Sequence, residues 1–194
     1  MVLWTIQPVC VLDELEQYGV YRARADRIDM LEYWGPSYLW LCNFLKQKDT
    51  CPKDVQYPVW AWHTFCGKRK KPDLRYNCYG HSGEELVCIE FDIPEDKVLL
   101  SDFELWHFVL NNWWLDVGMF EPDYTEEDYD INHKKFAALS QQEQDEEKER
   151  SWLNIFDVDT VVDNDFIRRG VDIQAIFWEL RMEWIKKVQY FIHR

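Results

Sequence analysis

The chain has 194 residues, of which 47% are hydrophobic and 30% charged, a length that suits one globular domain with its own core. Its 36 acidic and 22 basic side chains give a net charge of −14, which argues against general binding of duplex DNA. Eleven Trp against seven Gly indicate a packed protein with aromatic-lined surfaces or pockets. No signal peptide or membrane-spanning run is evident, so we expect a cytoplasmic protein without membrane contact.

The first half of the sequence predicts both strands and helices. Alternating or continuous apolar runs indicate strands over residues 2–7, 57–63 and 86–91. A helix is predicted between Pro8 and Gly19, because apolar residues recur there at helical spacing before a glycine stop. Residues 28–48 have the same spacing, but Gly35 and Pro36 interrupt it, so we expect a short helix or turn followed by a longer helix.

An acidic segment dominates the second half of the sequence. Ser101 and Glu104 form a capping-box pattern, which predicts the start of a helix that closes at a pair of asparagines. Residues 121–150 contain 11 acidic and 4 basic side chains, a net charge of −7. We expect an exposed helical insertion there, with a partly mobile stretch near residues 141–149.

The C-terminal part predicts one more strand and one more helix. A nearly continuous apolar run indicates a central strand over residues 173–180. Beyond it, Met182, Ile185 and Val188 recur at helical spacing and predict a terminal helix. Since no linker and no internal repeat interrupts the chain, we predict a single α+β domain over residues 1–194.

The six cysteines do not form a recognisable metal motif. A zinc site could combine Cys66, Cys78 and His81, but it would lack the paired Cys-x-x-Cys spacing of structural zinc sites. We therefore expect reduced thiols and no metal. Catalysis by a cysteine remains an alternative, with Cys66 near His63 or Cys88 on a strand.

A basic loop interrupts the acidic sequence at residues 68–71, and Arg75 follows it. Arginine forks suit phosphate oxygens and aromatic faces stack on bases, so the loop and the aromatic strand before it could hold a dinucleotide or a short nucleic-acid strand. The alternative is a solvated loop that pairs with the acidic segment.

Two polar residues lie within the apolar run near the C-terminus. Strand alternation assigns Gln174 to one face and Glu179 to the other. Glu179 could mark the point where the strand meets water, because burial of an unpaired carboxylate is costly. Alternatively, either residue could contact a ribose hydroxyl or polarise a nucleophile.

Several motifs resemble a bacterial and phage family, the domain-of-unknown-function family 3841 (DUF3841). The motifs are LWTIQP at residues 3–8, GVYR at 19–22, YPVWAW at 57–62, PDLR at 72–75, LLSDFELWH at 99–107 and QAIFWEL at 174–180. This resemblance covers nearly the whole chain, but it implies no activity.

The order of elements is also similar to that of the DNA-targeting ADP-ribosyltransferase toxins. That resemblance implies a mixed or antiparallel split sheet with flanking helices, and NAD as substrate. It assigns Thr5 and Gln7 to the nicotinamide ribose and Trp60 and Trp62 to the ring. An arginine of this family contacts NAD; Arg22 and Arg75 are both candidates here, and Arg75 is preferred for the pyrophosphate.

The chain departs from this toxin family at the catalytic position, because Ile176 follows Gln174 and Ala175 where the family has its glutamate. Gln174 and Glu179 are therefore the candidate catalytic residues. Two functions follow as hypotheses. The first is a nucleotide-binding protein that takes NAD, with mono-ADP-ribosylation of a protein or nucleic acid as its reaction.

The second hypothesis is a non-enzymatic acidic interaction protein, such as a phage-type inhibitor or a nucleic-acid mimic. Its acidic segment over residues 121–149 would face a basic partner, with Trp113 and Trp114 as anchors. Neutralising Glu143 and the acidic residues at 145–147 would then weaken binding, and salt would do the same.

Overall fold

A computed structural model describes residues 1–28, 30–76 and 79–193, and in these ranges the chain is α+β, as predicted. The strands are β1 (Val2–Pro8), β2 (Val20–Tyr21), β3 (Val59–Thr64), β4 (Glu85–Asp92), β5 (Leu99–Asp102), β6 (Val162–Asp163), β7 (Arg168–Arg169), β8 (Ile173–Phe177), β9 (Leu180–Arg181) and β10 (Ile185–Ile192). The α-helices are α1 (Cys10–Tyr18), α2 (Leu31–Lys48), α3 (Phe103–Leu110), α4 (Glu126–Ala137) and α5 (Gln141–Trp152). The chain divides into a larger unit, residues 1–100 with 174–194, and a smaller unit, residues 101–173.

One mostly antiparallel sheet contains six of the strands, in the order β10–β4–β1–β3–β8–β5. Strand β1 pairs with β4 along its whole length, from Val2 opposite Asp92 to Pro8 opposite Leu86. On its other side β1 pairs antiparallel with β3, where Trp4 lies opposite Trp62. The strands predicted over residues 2–7, 57–63 and 86–91 are thus confirmed, with small shifts at their ends.

The core of the larger unit lies on one face of this sheet. Strand alternation directs one set of side chains to that face, and α1 packs on it through its apolar stripe. The fully buried members include Leu3, Val11, Leu15, Val87, Ile89, Phe91, Ala175 and Leu180. Helix α1 ends as predicted at Gly19, which has a φ of 72° and donates its N–H to the carbonyl of Leu15.

Helix α2 is continuous, and the break predicted at Gly35 and Pro36 is wrong. Pro36 lies in the second turn with its ring exposed, so the helix loses one backbone hydrogen bond there. Proline inside a helix costs about 3 kcal/mol in total, through the missing bond and the crowding of its ring against the preceding turn. Burial of Leu41 and Leu45 offsets it, at about 1.5–3 kcal/mol for each side chain.

The strand predicted over residues 173–180 is shorter than expected. Strand β8 ends at Phe177, and the indole Nε1 of Trp178 donates to the carbonyl of Asp49 at 3.1 Å. Leu180 then begins β9, which pairs with β2 in a separate two-stranded sheet. The apolar run therefore serves two sheets, which its composition could not indicate.

The predicted C-terminal helix is wrong, because residues 185–192 form β10 and pair antiparallel with β4. Residues 182–184 make one 3-10 turn before it. The segment is rich in β-branched and aromatic residues, and pairing covers a strand edge that would otherwise leave backbone groups open. Sheet pairing therefore overrides the helical spacing of Met182, Ile185 and Val188.

The smaller unit contains α3, α4 and α5. The side chain that caps α3 is Asp102, whose Oδ1 accepts from the N–H of Leu105, so the predicted cap at Ser101 is displaced by one residue. Helix α4 begins with a capping box at Thr125 and α5 with one at Ser140. Both helices fall in the acidic segment, where a helical insertion is predicted.

Candidate functional site

A short hydrogen-bonded relay connects β1 with β3 in the larger unit. Thr5 is fully buried, and its Oγ1 donates to the carbonyl of Trp60 at 2.7 Å. The same Oγ1 accepts from Nε2 of Gln7 at 2.8 Å. Because Nε2 of the Gln7 amide is held in this way, the carbonyl oxygen of the amide is oriented, and no donor among the described residues engages it.

Gln7 and Trp60, both assigned to a ligand site from the sequence, line one cavity of about 290 Å³. Aromatic side chains form much of its wall, and Tyr38 meets Trp60 edge to face at a centroid distance of 5.8 Å. The remaining lining residues are Tyr21, Ala23, Arg27, Ile28, Trp34, Pro58 and Val59. We call this the Gln7 cavity.

Three further polar or aromatic side chains that line the Gln7 cavity, those of Arg27, Trp34 and Tyr38, were not predicted from the sequence. Trp34 and Tyr38 lie one helical turn apart on α2 and therefore share a face of that helix. Their i,i+4 spacing near an aromatic strand was the available signal. Arg27 supplies a cation to the lining, and its Nη2 also pairs with Oε1 of Glu14 at 2.5 Å.

Arg75 and Trp62 are not among the residues that line the Gln7 cavity. The Arg75 side chain is 80% exposed and pairs with Asp73 of its own loop. Trp62 lies on β3 two residues beyond Trp60 and packs edge to face on Phe65. Of the predicted NAD set, the structure thus brings Gln7 and Trp60 to the cavity, whereas Thr5 hydrogen-bonds to both but is fully buried and is not among the lining residues.

Glu179 lies in a different setting, between two arginines. Its Oε2 accepts from Nη2 of Arg22 at 2.8 Å, and its Oε1 accepts from Nη2 of Arg181 at 2.6 Å. Burial acts to raise the pKa of Glu179, but the hydrogen bonds from Arg22 and Arg181 outweigh it and hold the pKa below its usual value. An ionised carboxylate in two ion pairs is poorly placed to accept a proton.

Glu179 and Arg22 line a second cavity, of about 430 Å³, together with Arg181, Lys97 and Trp184. Residues 21–23, at the end of β2, contribute to both cavities: Tyr21 and Ala23 line the Gln7 cavity, whereas Arg22 lines the second. Successive side chains of an extended segment point in opposite directions. Glu179 therefore does not share the cavity of Gln7 and Trp60.

The remaining catalytic candidate, Gln174, is half-buried on β8. Its Oε1 is buried without a hydrogen-bond partner among the described residues. Ile176, at the position where a glutamate was sought, is fully buried on the same strand. Neither residue is among those that line the Gln7 cavity.

The basic loop is tied to the sheet of its own unit. Arg69 donates to the carbonyls of Val2 and His63, and its guanidinium lies over the ring of Trp4 at 5.8 Å. Lys71 donates to Oε1 of Gln189 at 2.5 Å. These contacts use neutral oxygens and an aromatic face, which anchor the loop without neutralising its charge.

Two of the described thiols, Cys42 and Cys88, are poor nucleophiles in the folded protein. Burial raises the pKa of Cys42 to about 12 and that of Cys88 to about 11, so both stay protonated at neutral pH. Among the described residues no group of three or more His, Cys, Asp or Glu side chains is arranged to hold a metal. Cys78, a member of the zinc alternative with Cys66 and His81, lies outside those residues.

Comparison with known protein families identifies the family of this chain. The family model of DUF3841, a domain of unknown function, matches residues 2–186. The chain belongs to the DUF3841 family. Neither the curated proteins nor the solved structures contain a significant match to this DUF3841 chain. None of the described helices is long and apolar enough to cross a membrane.

Proposed function

We propose that this DUF3841 protein binds a nucleotide, with NAD as the first candidate, through the Gln7 cavity. The observation that carries the proposal is the Gln7–Thr5–Trp60 relay beside an aromatic wall. A fixed amide oxygen accepts from an N–H group, and aromatic faces suit a planar heterocycle. A nicotinamide or adenine ring with its carboxamide or amino group offers both features.

The size of the cavity limits which part of the nucleotide it takes. Ligand pockets span about 300–1,000 Å³, and the Gln7 cavity, at about 290 Å³, is at the small end. It suits one ring with its ribose rather than a whole dinucleotide. Arg27, which lines the cavity, supplies a guanidinium for a phosphate oxygen.

The proposal includes the ADP-ribosyltransferase-like fold, for which the α+β class and the antiparallel pairing of β1 with β3 and β4 are support at a coarse level. It favours binding over transfer. Transfer requires a carboxylate beside the nicotinamide ribose, whereas Glu179 is paired with Arg22 and Arg181 and lines the other cavity.

Calorimetric titration of the intact protein with NAD, nicotinamide mononucleotide and ADP-ribose tests this proposal. Gln7→Leu keeps the side-chain size and removes the amide, so we expect about tenfold weaker binding, the effect of one hydrogen bond. Gln17→Leu makes the same change on an exposed face of α1 and should leave binding unchanged. Equal effects of the two variants, or no binding of any of the three compounds, would refute the proposal.

A second pair of variants tests which arginine contacts the phosphate. Arg27→Gln should weaken NAD binding, whereas Arg75→Gln should not, because Arg75 pairs with Asp73 outside the cavity. Proton NMR of the same samples should show no release of nicotinamide. Release that stops in Glu179→Gln would instead assign cleavage of the nicotinamide–ribose bond, with water or a group of the protein itself as the acceptor of ADP-ribose.

A further inference from the structure

The smaller unit carries nearly all the net charge of the protein. Residues 101–173 contain 19 acidic and 6 basic side chains, a net charge of −13. The larger unit contains 17 acidic and 16 basic side chains, a net charge of −1. So strong an asymmetry creates a local field that attracts cationic partners to the smaller unit.

An apolar groove of about 350 Å³ lies in this acidic unit. Its apolar lining comes from Trp114, Val117, Phe136 and Leu139. Trp114 stacks on Phe136 with a centroid distance of 4.6 Å and an interplanar angle of 5°, which gives the groove a flat aromatic wall. Of the two tryptophans predicted as anchors, Trp114 lines this groove, and Trp113 is exposed beyond it.

The base of the groove is ordered without any ligand. Asp116 is buried there, and its carboxylate accepts from the hydroxyl of Tyr124 at 2.5 Å, from Nδ2 of Asn132 at 3.0 Å and from the N–H of Gly118 at 2.9 Å. Because the buried carboxylate is satisfied, the groove does not require a cation in its base. The surface of the groove that is available to a ligand is mainly apolar.

The rim of the groove is acidic on the side of α5. Glu147 lines the groove, and Glu143 lies one turn earlier on the same face of the helix. Arg150 pairs with Glu147, and Lys135 of α4 also lines the groove. Within α5 the acidic residues still outnumber the basic ones by five to two.

We infer that this groove docks a cationic segment of another protein, which inserts one apolar side chain between Trp114 and Leu139 and lays its lysines or arginines along α5. The apolar surface would supply affinity and the charge would select the partner. This surface is independent of the nucleotide proposed for the Gln7 cavity, so the two can fail separately.

Titration with designed peptides tests the inference on the intact protein. The probe is a short amidated peptide of alternating lysine and serine with one central phenylalanine. Two companions replace phenylalanine by alanine, or every lysine by glutamine. We expect the probe to bind about tenfold or more tightly than either companion at low salt, and added salt to weaken the probe. No binding of the probe, or equal binding of all three peptides, overturns the inference.

A matched pair of variants locates the site. Val117→Lys places a charge in the groove lining, whereas Val161→Lys makes the same change at an exposed position of the same unit outside it. Only Val117→Lys should weaken the probe, by about tenfold. Equal effects of the two variants would mean that the whole acidic unit attracts the peptide without use of the groove, and would overturn the inference.

A gain-of-affinity pair covers the case in which Val117→Lys does not fold. Lys135→Glu removes the cation that lines the groove, whereas Lys134→Glu makes an identical change of net charge on the next residue of α4. The first should tighten probe binding several-fold more than the second, and equal effects would contradict the inference. Sedimentation tests whether a second copy of this chain occupies the groove instead. If the protein forms a dimer, Lys135→Glu changes the stability of that dimer, and the probe does not bind, then the groove belongs to a dimer interface.

Discussion

Arg22 and Glu179 are 157 residues apart in the sequence, and both Nε and Nη2 of the arginine donate to one carboxylate oxygen, at 3.1 and 2.8 Å. Arg181 holds the other oxygen. This bridge links the end of β2 to the residues before β9, two strands that also pair through their backbones. Glu179 therefore stabilises the larger unit by joining these two segments through its side chain.

Removal of the Glu179 charge should therefore cost stability. We expect Glu179→Gln to lower the free energy of unfolding by about 1–2 kcal/mol at pH 7, a value kept modest because both arginines are partly exposed. Glu183→Gln is the control, since that exposed side chain reaches Arg181 only at 3.9 Å. Urea unfolding of the three proteins measures the difference.

The stabilisation by Glu179 should also depend on pH. Its pKa is lowered in the folded state from an ordinary value of 4.5, so the stabilisation is complete above that value and is lost as the pH falls through the folded pKa. The gap in stability between wild type and Glu179→Gln should therefore narrow as the pH falls below 4.5. A gap that is the same at pH 3 and pH 7 would show that packing, not charge, is what the variant loses.

The sequence could predict the parts of the fold that local spacing determines. The strands β1, β3 and β4, helix α1 and its glycine stop follow from alternation and turn chemistry within a few residues. Strand β10 could not be predicted in this way, because its apolar spacing also fits a helix and the choice depends on pairing with β4, about 100 residues earlier. The β-branched and aromatic residues of the segment favour a strand, but the pairing that decides between strand and helix is not encoded locally.

The same distinction applies to the candidate site. Thr5, Gln7 and Trp60 could be predicted as one group because the resemblance to the ADP-ribosyltransferase toxins assigned residues of β1 and β3 to a single NAD site. The sequence could not indicate which arginine lines the Gln7 cavity: Arg75 is held by Asp73 two residues away, whereas Arg27 lines the cavity and itself pairs with Glu14. An arginine's position in the sequence does not reveal which carboxylate engages it.

The hydroxyl of Thr5 should matter for both stability and ligand binding. Thr5→Val keeps the shape and removes the donor to Trp60 and the acceptor for Gln7, so we expect a loss of about 1–2 kcal/mol in unfolding free energy. NAD affinity should fall with it, because Gln7 is no longer oriented. Thr5→Ser restores the hydroxyl and should recover most of the affinity; if it behaves like Thr5→Val, the relay has no role in binding.

The cap of α3 predicts opposite outcomes for two neighbouring buried residues. Asp102 accepts from the N–H groups of Leu105 and Gly170, so Asp102→Ala should cost about 2–3 kcal/mol in unfolding free energy. Ser101 Oγ is buried without a partner among the described residues, so Ser101→Ala should be neutral or stabilising. Denaturant titration of both variants measures these changes in unfolding free energy. A larger loss for Ser101→Ala than for Asp102→Ala would show that Ser101 is the residue that caps α3.

The thiols should react in an order set by exposure. Cys10 is exposed at the start of α1, whereas Cys42 and Cys88 are buried with pKa values raised to about 12 and about 11. With an aromatic disulfide reagent at pH 8, we expect Cys10 to react in the first phase and Cys42 and Cys88 to react only when the protein unfolds, because the thiolate is the reactive form. Mass spectrometry of the labelled peptides assigns each phase, and Cys10→Ser should remove its contribution to the first. Labelling of Cys88 in the folded protein at the rate of Cys10 would mean that the sheet opens at β4, and with it the ladder that positions Thr5 and Gln7.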